Sequence, residues 1–89
     1  MDKQACEAEL RRVWGESFDA QLKTAQTVFK TLPEESRSRI DENNVSHICA
    51  LSAIGSEAYT NPKHPDHGRV SAEANALYTE LHGTEIHII

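Results

Sequence analysis

The sequence predicts an all-α fold, a compact bundle of four to five short helices with an apolar extended C-terminal tail. From Gly15 to Leu32, apolar residues recur in steps of three and four, which is the spacing of one helical face and not of a strand. Prolines and glycines divide the rest of the chain into short segments. The 89 residues, 38% hydrophobic and 26% charged, have the length and composition of one small globular domain.

The predicted helices start or end at recognisable signals, and they cover about residues 2–13, 16–32, 33–40, 45–59 and 67–82. Asp2 and Asn44 are expected N-caps, because their side-chain oxygens can accept hydrogen bonds from free backbone amides of the first turn. Pro33, which two acidic residues follow, is expected to start the third helix. The loop before the last helix contains two prolines, which prevent a continuous helix there.

The second predicted helix carries both phenylalanines on one apolar stripe, so we expect the other helices to pack on it. Trp14 is expected to be a core anchor, and Val13 is placed on the apolar face of the first helix. The large side chains of the predicted core are Phe18, Leu22, Phe29, Ile48, Leu51, Ile54, Leu77 and Leu81.

The tail contains three isoleucines, Ile86, Ile88 and Ile89. Burial of each side chain is worth about 1.5–3 kcal/mol, so exposure of all three would be costly. The sequence favours a tail that folds back into a groove of its own domain. The alternative is a groove on a partner or on a second copy in a homodimer.

Composition and charge exclude several classes of function. The net charge of −5 argues against nucleic acid as a direct partner, because phosphate binding needs a basic surface. No apolar run approaches the length of a membrane span, and no leader pattern is present, so we expect a cytoplasmic protein. Cys6 and Cys49 follow no pairing pattern, which predicts free thiols.

The candidates for chemistry are few. His64, Asp66, His67 and His82 suggest a metal site, yet none of them shows a recognised ligand spacing, and we predict neither a metal nor a cofactor. His47 and Cys49 lie two residues apart on a predicted helix, so they point to different sides and predict no catalytic pair. We therefore do not expect an enzyme.

Three stretches, taken in order, carry a family resemblance. Residues 10–18 read LRRVWGESF, residues 47–55 read HICALSAIG, and residues 61–67 read NPKHPDH, with Leu77-Tyr78 and Gly83 beyond them. Together they resemble the C-terminal part of capsid scaffolding (head assembly) proteins of tailed phages, over about residues 10–83. The resemblance implies a phage or prophage protein that binds the phage coat protein during shell assembly.

This resemblance gives the first interpretation, a non-enzymatic domain that docks on another protein through a helical surface. The contacts expected for it are Tyr59, Lys63, His64, Arg69 and Tyr78. The acidic composition leaves an alternative open, a small phage inhibitor of a host factor, such as an anti-CRISPR protein that covers a nucleic-acid-binding site. The residues expected for that role are Glu34, Glu35, Asp41, Glu42, Glu57, Asp66, Glu73 and Glu80.

Overall fold

The computed structural model describes residues 2–82, except for the side chain of His82, and this part of the chain is all-α, as the sequence predicts. A short 3-10 turn, Gly15–Ser17, joins the first two helices. In chain order the helices are α1 (Lys3–Trp14), α2 (Phe18–Thr31), α3 (Glu34–Arg39), α4 (Val45–Ile54), α5 (Glu57–Thr60) and α6 (His67–His82). The predicted apolar tail lies outside the described residues.

The helix starts follow the expected capping chemistry. The Asp2 carboxylate accepts a hydrogen bond of 2.7 Å from the backbone N–H of Ala5. The Asn44 side-chain oxygen accepts one of 3.3 Å from the backbone N–H of His47. Both caps are therefore confirmed. Pro33 occupies the N-cap position of α3, so this helix starts at Glu34, one residue later than predicted.

Helix α4 is the element on which most of the others pack, and this corrects the expectation that the second helix would be central. Helices α2 and α6 lie along α4, and α1 and α5 also contact it. Seven of its ten residues are buried. Because apolar or small side chains surround α4 on nearly every side, its sequence lacks the single stripe that marks an amphipathic helix.

The prediction of a single helix over residues 45–59 is wrong, because α4 ends at Ile54 and a separate short helix follows. Ser56 has an extended backbone (φ −88°, ψ 157°), which ends α4 and precedes the single turn of α5. Gly55 lies against α2 at this break. A Cβ atom at Gly55 would lie 2.5 Å from Thr24 Cγ2 and 2.8 Å from Val28 Cγ2, so only glycine fits without a shift of neighbouring atoms.

The core contains most of the large apolar side chains that the sequence assigns to it. Five of the eight are buried, while Leu22, Phe29 and Leu81 are partly buried against them. Trp14 is likewise partly buried and packs against the edge of this core, with its ring 6.1 Å from the Phe18 ring. Val13 is 51% exposed and does not join the apolar face of α1.

His47 ties the loop before α4 to the end of α6. Its side chain is buried, and its Nδ1 accepts a hydrogen bond of 3.0 Å from the backbone N–H of Asp41. The ring hydrogen of the neutral imidazole is therefore on Nε2. Nε2 lies 3.1 Å from Glu80 Oε1, although the pair lacks the alignment of a hydrogen bond.

We expect His47→Ala to lower the free energy of unfolding by about 1–3 kcal/mol, because it removes the acceptor of the Asp41 N–H and a buried ring. Glu80→Gln is the matched control. The Glu80 side chain is 54% exposed, so we expect its loss of charge to have little effect. Urea denaturation of the two variants checks this prediction, and equal destabilisation by both would contradict it.

Candidate functional site

Two of the depressions on the described part of the bundle are lined by residues from several helices. The first, called the cleft below, has a volume of about 570 Å³ and lies between α2, α4 and the start of α6. The second, called the groove below, has a volume of about 740 Å³ and lies between α1, α2 and α4. The cleft is polar at one edge, whereas apolar residues predominate in the groove, namely Leu10, Phe18, Leu22, Phe29, Ile48 and Leu51.

All three stretches that carry the family resemblance contribute to the cleft. Val13 and Trp14 come from the first stretch, and His64 and Asp66 come from the third. The second stretch supplies small or short side chains, which are Cys49, Ser52, Ala53 and Gly55. Segments far apart in the sequence therefore meet at one surface.

The apolar edge of the cleft is formed by the end of α1. Val13 is the large hydrophobic residue that the described part of the chain exposes, and the half-buried Trp14 lies beside it. Gly15 follows with a φ of 56°, a left-handed conformation that glycine adopts without strain and that ends α1 here. Val13 and Trp14 therefore give the cleft one apolar edge.

The polar edge of the cleft is formed by the loop before α6 and the first turns of that helix. Arg69 Nη1 lies 3.0 Å from Glu73 Oε1, and Arg69 Nη2 lies 4.0 Å from Asp66 Oδ2. His64 Nδ1 accepts a hydrogen bond of 3.1 Å from the backbone N–H of Asp66. With Glu57 also present, carboxylates outnumber the one guanidinium at this edge, which therefore favours a basic or polar contact.

The cleft also contains a polar contact that periodicity does not reveal. Gln21 lies outside the apolar stripe of α2, where a polar residue is expected to face water, yet its Oε1 accepts a hydrogen bond of 3.0 Å from Ser52 Oγ of α4. Both residues line the cleft. The sequence carries one signal for this region, a run of small residues around Gly55, which favours close contact between helices.

The residues proposed for docking separate into two groups. His64 and Arg69 line the cleft, and Lys63 is exposed in the loop beside His64. Tyr59 is half-buried, and its hydroxyl lies 3.2 Å from the Tyr78 hydroxyl. Tyr78 is only 1% exposed, so its assignment as a contact residue is wrong. Its ring packs in the core because α6 turns this position towards α4.

The acidic residues proposed for the inhibitor role do not all line one surface. Asp66, Glu73 and Glu57 belong to the cleft, whereas Glu42 lines the groove. Of the others, Glu35 forms an ion pair with Arg39, and Glu80 contacts His47. Glu34 and Asp41 are exposed outside both depressions.

The two thiols are poorly suited to nucleophilic chemistry. Both cysteines are free. Burial, and then the charge of Glu73, raise the pKa of Cys49, which lines the cleft. Burial, and then the charge of Asp41, raise the pKa of Cys6 in the groove. Both thiols therefore stay protonated at neutral pH, and the thiol is the less reactive form.

The histidines near the cleft have partners within the fold. His67 Nδ1 lies 2.8 Å from the carbonyl oxygen of Ala58, and its Nε2 lies 3.4 Å from Ser71 Oγ. Among residues 2–82, no three His, Cys, Asp or Glu side chains are grouped so that they could hold a metal ion. No helix in this part of the chain is long and apolar enough to span a membrane.

The chain matches no protein-family model, and comparisons with curated proteins and with solved structures found no match either. An inference about its function therefore depends on the geometry of the cleft and on the resemblance of the three stretches that line it.

Proposed function

We propose that this chain is a non-enzymatic protein-binding domain of a phage or prophage, resembling capsid scaffolding proteins, and that it docks on coat protein through the cleft. One observation carries the proposal. The three stretches that resemble scaffolding proteins lie apart in the sequence, yet each of them contributes side chains to the cleft. A shared binding surface accounts for that convergence.

The chemistry of the cleft supports a protein as the partner. Interfaces combine an apolar centre, often with an aromatic residue, and a polar rim. Val13 and Trp14 provide the apolar part, and Arg69 with its two carboxylate partners provides the polar part. The cleft, with a volume of about 570 Å³, has room for side chains of a partner helix.

We expect Val13→Glu to weaken binding to purified coat protein by about tenfold or more, which corresponds to about 1.4 kcal/mol. The substitution places a charge at an exposed apolar position, so the fold should tolerate it. Ala8→Glu is the matched control, because Ala8 is exposed on the same helix but lines neither depression. Titration calorimetry measures both affinities, and equal affinities for the two variants would contradict the assignment of the cleft.

The partner itself is identified by affinity capture from a lysate of the lysogenic or infected host, followed by mass spectrometry. The proposal is supported if wild type and Ala8→Glu capture major coat protein and Val13→Glu does not. Capture of a host nuclease or a CRISPR complex instead would contradict it and favour the acidic-inhibitor interpretation. In that case, replacement of Glu34, Glu35, Asp41 and Glu42 by lysine should abolish capture.

A further inference from the structure

His47 is a buried titratable side chain that the proposed docking function does not use. It lies in the first turn of α4, and its side chain is only 6% exposed. On one side the ring contacts residues 40–44, called the connecting loop below, which join α3 to α4. On the other side it contacts α6 through Glu80. A change in the protonation of one imidazole therefore acts on two elements at once.

The connecting loop contains a turn that is closed by its own hydrogen bonds. The Asp41 carbonyl oxygen accepts a bond of 3.1 Å from the backbone N–H of Asn44, and Asp41 Oδ1 accepts one of 2.8 Å from that of Asn43. The Asp41 N–H donates outside the turn, to His47 Nδ1 at 3.0 Å. This bond and the Asn44 cap on the His47 N–H attach the turn to α4.

The bond from Asp41 requires an Nδ1 that carries no hydrogen. A nitrogen of the neutral imidazole can accept through its lone pair, whereas both nitrogens are donors once the ring is protonated. In the imidazolium, Nδ1–H and the Asp41 N–H would be two donors facing each other across 3.0 Å. Two donors without an acceptor between them are unfavourable, so the turn has to move.

Glu80 lies on the opposite side of the ring. His47 Nε2 is 3.1 Å from Glu80 Oε1, but the pair lacks the alignment of a hydrogen bond, and Nε2 has no other partner among the described residues. A carboxylate this close favours the charged form of an imidazole. The imidazolium that gives up Asp41 therefore has an ion-pair partner ready on α6.

The other elements around the ring offer no second carboxylate in contact with it among the described residues. The acidic residues of the connecting loop are Asp41, whose Oδ1 bonds Asn43, and the exposed Glu42. On α1, burial and then the charge of Asp41 raise the pKa of the Cys6 thiol, which therefore stays uncharged. The first turn of α4 has no acidic residue, and the positive end of its helix dipole opposes a cation there.

We propose that His47 is a pH-sensitive switch within the fold. The neutral ring holds the turn of the connecting loop on α4. Protonation at Nδ1 releases this turn and pairs the ring with Glu80, so acid loosens the join between α3 and α4 and tightens that between α4 and α6. The inference is independent of the coat-protein proposal, because His47, Asp41 and Glu80 do not line the cleft.

NMR of the full chain tests the switch between about pH 8 and pH 5, the interval in which histidine side chains change charge. Nitrogen-15 shifts of the His47 ring show which nitrogen carries the hydrogen. As the pH falls, we expect Nδ1 to gain a hydrogen and the Asp41 amide to lose about tenfold of its protection from hydrogen exchange, with the same midpoint. Protection is taken relative to the intrinsic exchange rate at each pH. An Nδ1 that stays bare, or Asp41 protection that does not follow the ring, would overturn the proposal.

His47→Asn separates this switch from other effects of acid. The asparagine Oδ1 can accept the Asp41 N–H in place of Nδ1, and the amide does not titrate. We expect the protection of Asp41 to stay constant with pH in this variant. His64→Asn is the matched control, because His64 Nδ1 also accepts a backbone hydrogen bond, from Asp66, but lies in the loop before α6. It should keep the acid response of Asp41. An acid response that persists in His47→Asn would assign the effect to another group and refute the switch.

Glu80→Gln tests the other side of the ring and leaves His47 in place. The Glu80 side chain is 54% exposed, so the fold should tolerate the change. Without the carboxylate the imidazolium loses its partner, and we expect the midpoint of the Asp41 response to fall by about 0.5 pH unit, about threefold in proton concentration. Glu73→Gln, about two turns earlier on α6, is the control and should leave the midpoint unchanged. A midpoint that stays or rises in Glu80→Gln would overturn the proposal, even if His47→Asn failed to fold.

Discussion

Tyr78→Ala is expected to lower the free energy of unfolding by about 3–5 kcal/mol, the cost of truncating a buried aromatic side chain. Tyr78 is 1% exposed and packs in the main core cluster. The free energy of unfolding of a small domain is about 5–15 kcal/mol, so this variant loses a large part of its stability. Urea denaturation followed by circular dichroism measures the change.

Tyr78→Phe is the matched variant, because it keeps the ring and removes the hydroxyl that lies 3.2 Å from the Tyr59 hydroxyl. We expect it to cost only about 0.5–1.5 kcal/mol. If Tyr78→Ala were no worse than Tyr78→Phe, the ring would not be part of the core. The comparison also bears on function, because a loss of partner binding in Tyr78→Ala would report unfolding rather than a lost contact.

Gly55→Ala is expected to destabilise the protein by about 1–3 kcal/mol, because the added methyl group overlaps side-chain atoms of α2. The overlapping atoms are Thr24 Cγ2 and Val28 Cγ2. Both residues are β-branched and sit within a helix, where their rotamers are restricted, so neither can easily turn away. The gain of about 0.4–1 kcal/mol that normally accompanies replacement of a glycine is too small to compensate.

Thr24→Ser provides the test of this explanation. It removes Cγ2 but keeps the hydroxyl, which donates a 3.0 Å hydrogen bond to the Ala20 carbonyl oxygen. The double variant, Gly55→Ala with Thr24→Ser, should therefore be destabilised by less than the sum of the losses in the two single variants. We expect a favourable coupling energy of about 0.5–3 kcal/mol. If the stability changes of the two single variants simply added in the double variant, the destabilisation by Gly55→Ala would not come from contact with Thr24 Cγ2.

Gly68→Ala is the matched control for the glycine substitution itself. Gly68 lies in the first turn of α6, and a Cβ atom there would meet nothing within 4 Å. We expect this variant to gain about 0.4–1 kcal/mol, since alanine reduces the freedom of the unfolded chain. Thermal unfolding should then show a lower midpoint temperature for Gly55→Ala and a higher one for Gly68→Ala than for the wild type.

The features that the sequence predicts well are local ones. An N-cap depends on a side chain and an amide three residues away, so Asp2 and Asn44 could be identified from their neighbours. The limits of α6 coincide with those predicted, because prolines precede it and its apolar residues recur at helical spacing. The apolar stripe of α2 is likewise visible in the sequence of that helix alone.

The features that the sequence misses depend on neighbours distant in the chain. Periodicity gives the direction of Val13 around α1, but it does not show that this end of the helix borders the open cleft. Gln21 is polar and so resembles a surface residue. Its hydrogen-bond partner, Ser52, is 31 positions away in the sequence, so local pattern does not reveal the contact. Tyr78 looks suited to an interface because its hydroxyl can lie near water, yet the fold buries it.

The central position of α4 also bears on how the chain folds. Helix α4 packs against α2, which precedes it, and α6, which follows it. The main helix pairs therefore form between segments that are near neighbours along the chain, and closure of such short loops costs little entropy. Domains with this kind of topology fold rapidly, in microseconds to milliseconds. We therefore expect the folding nucleus to contain α4 and one of these two helices, with α1 packing on them later.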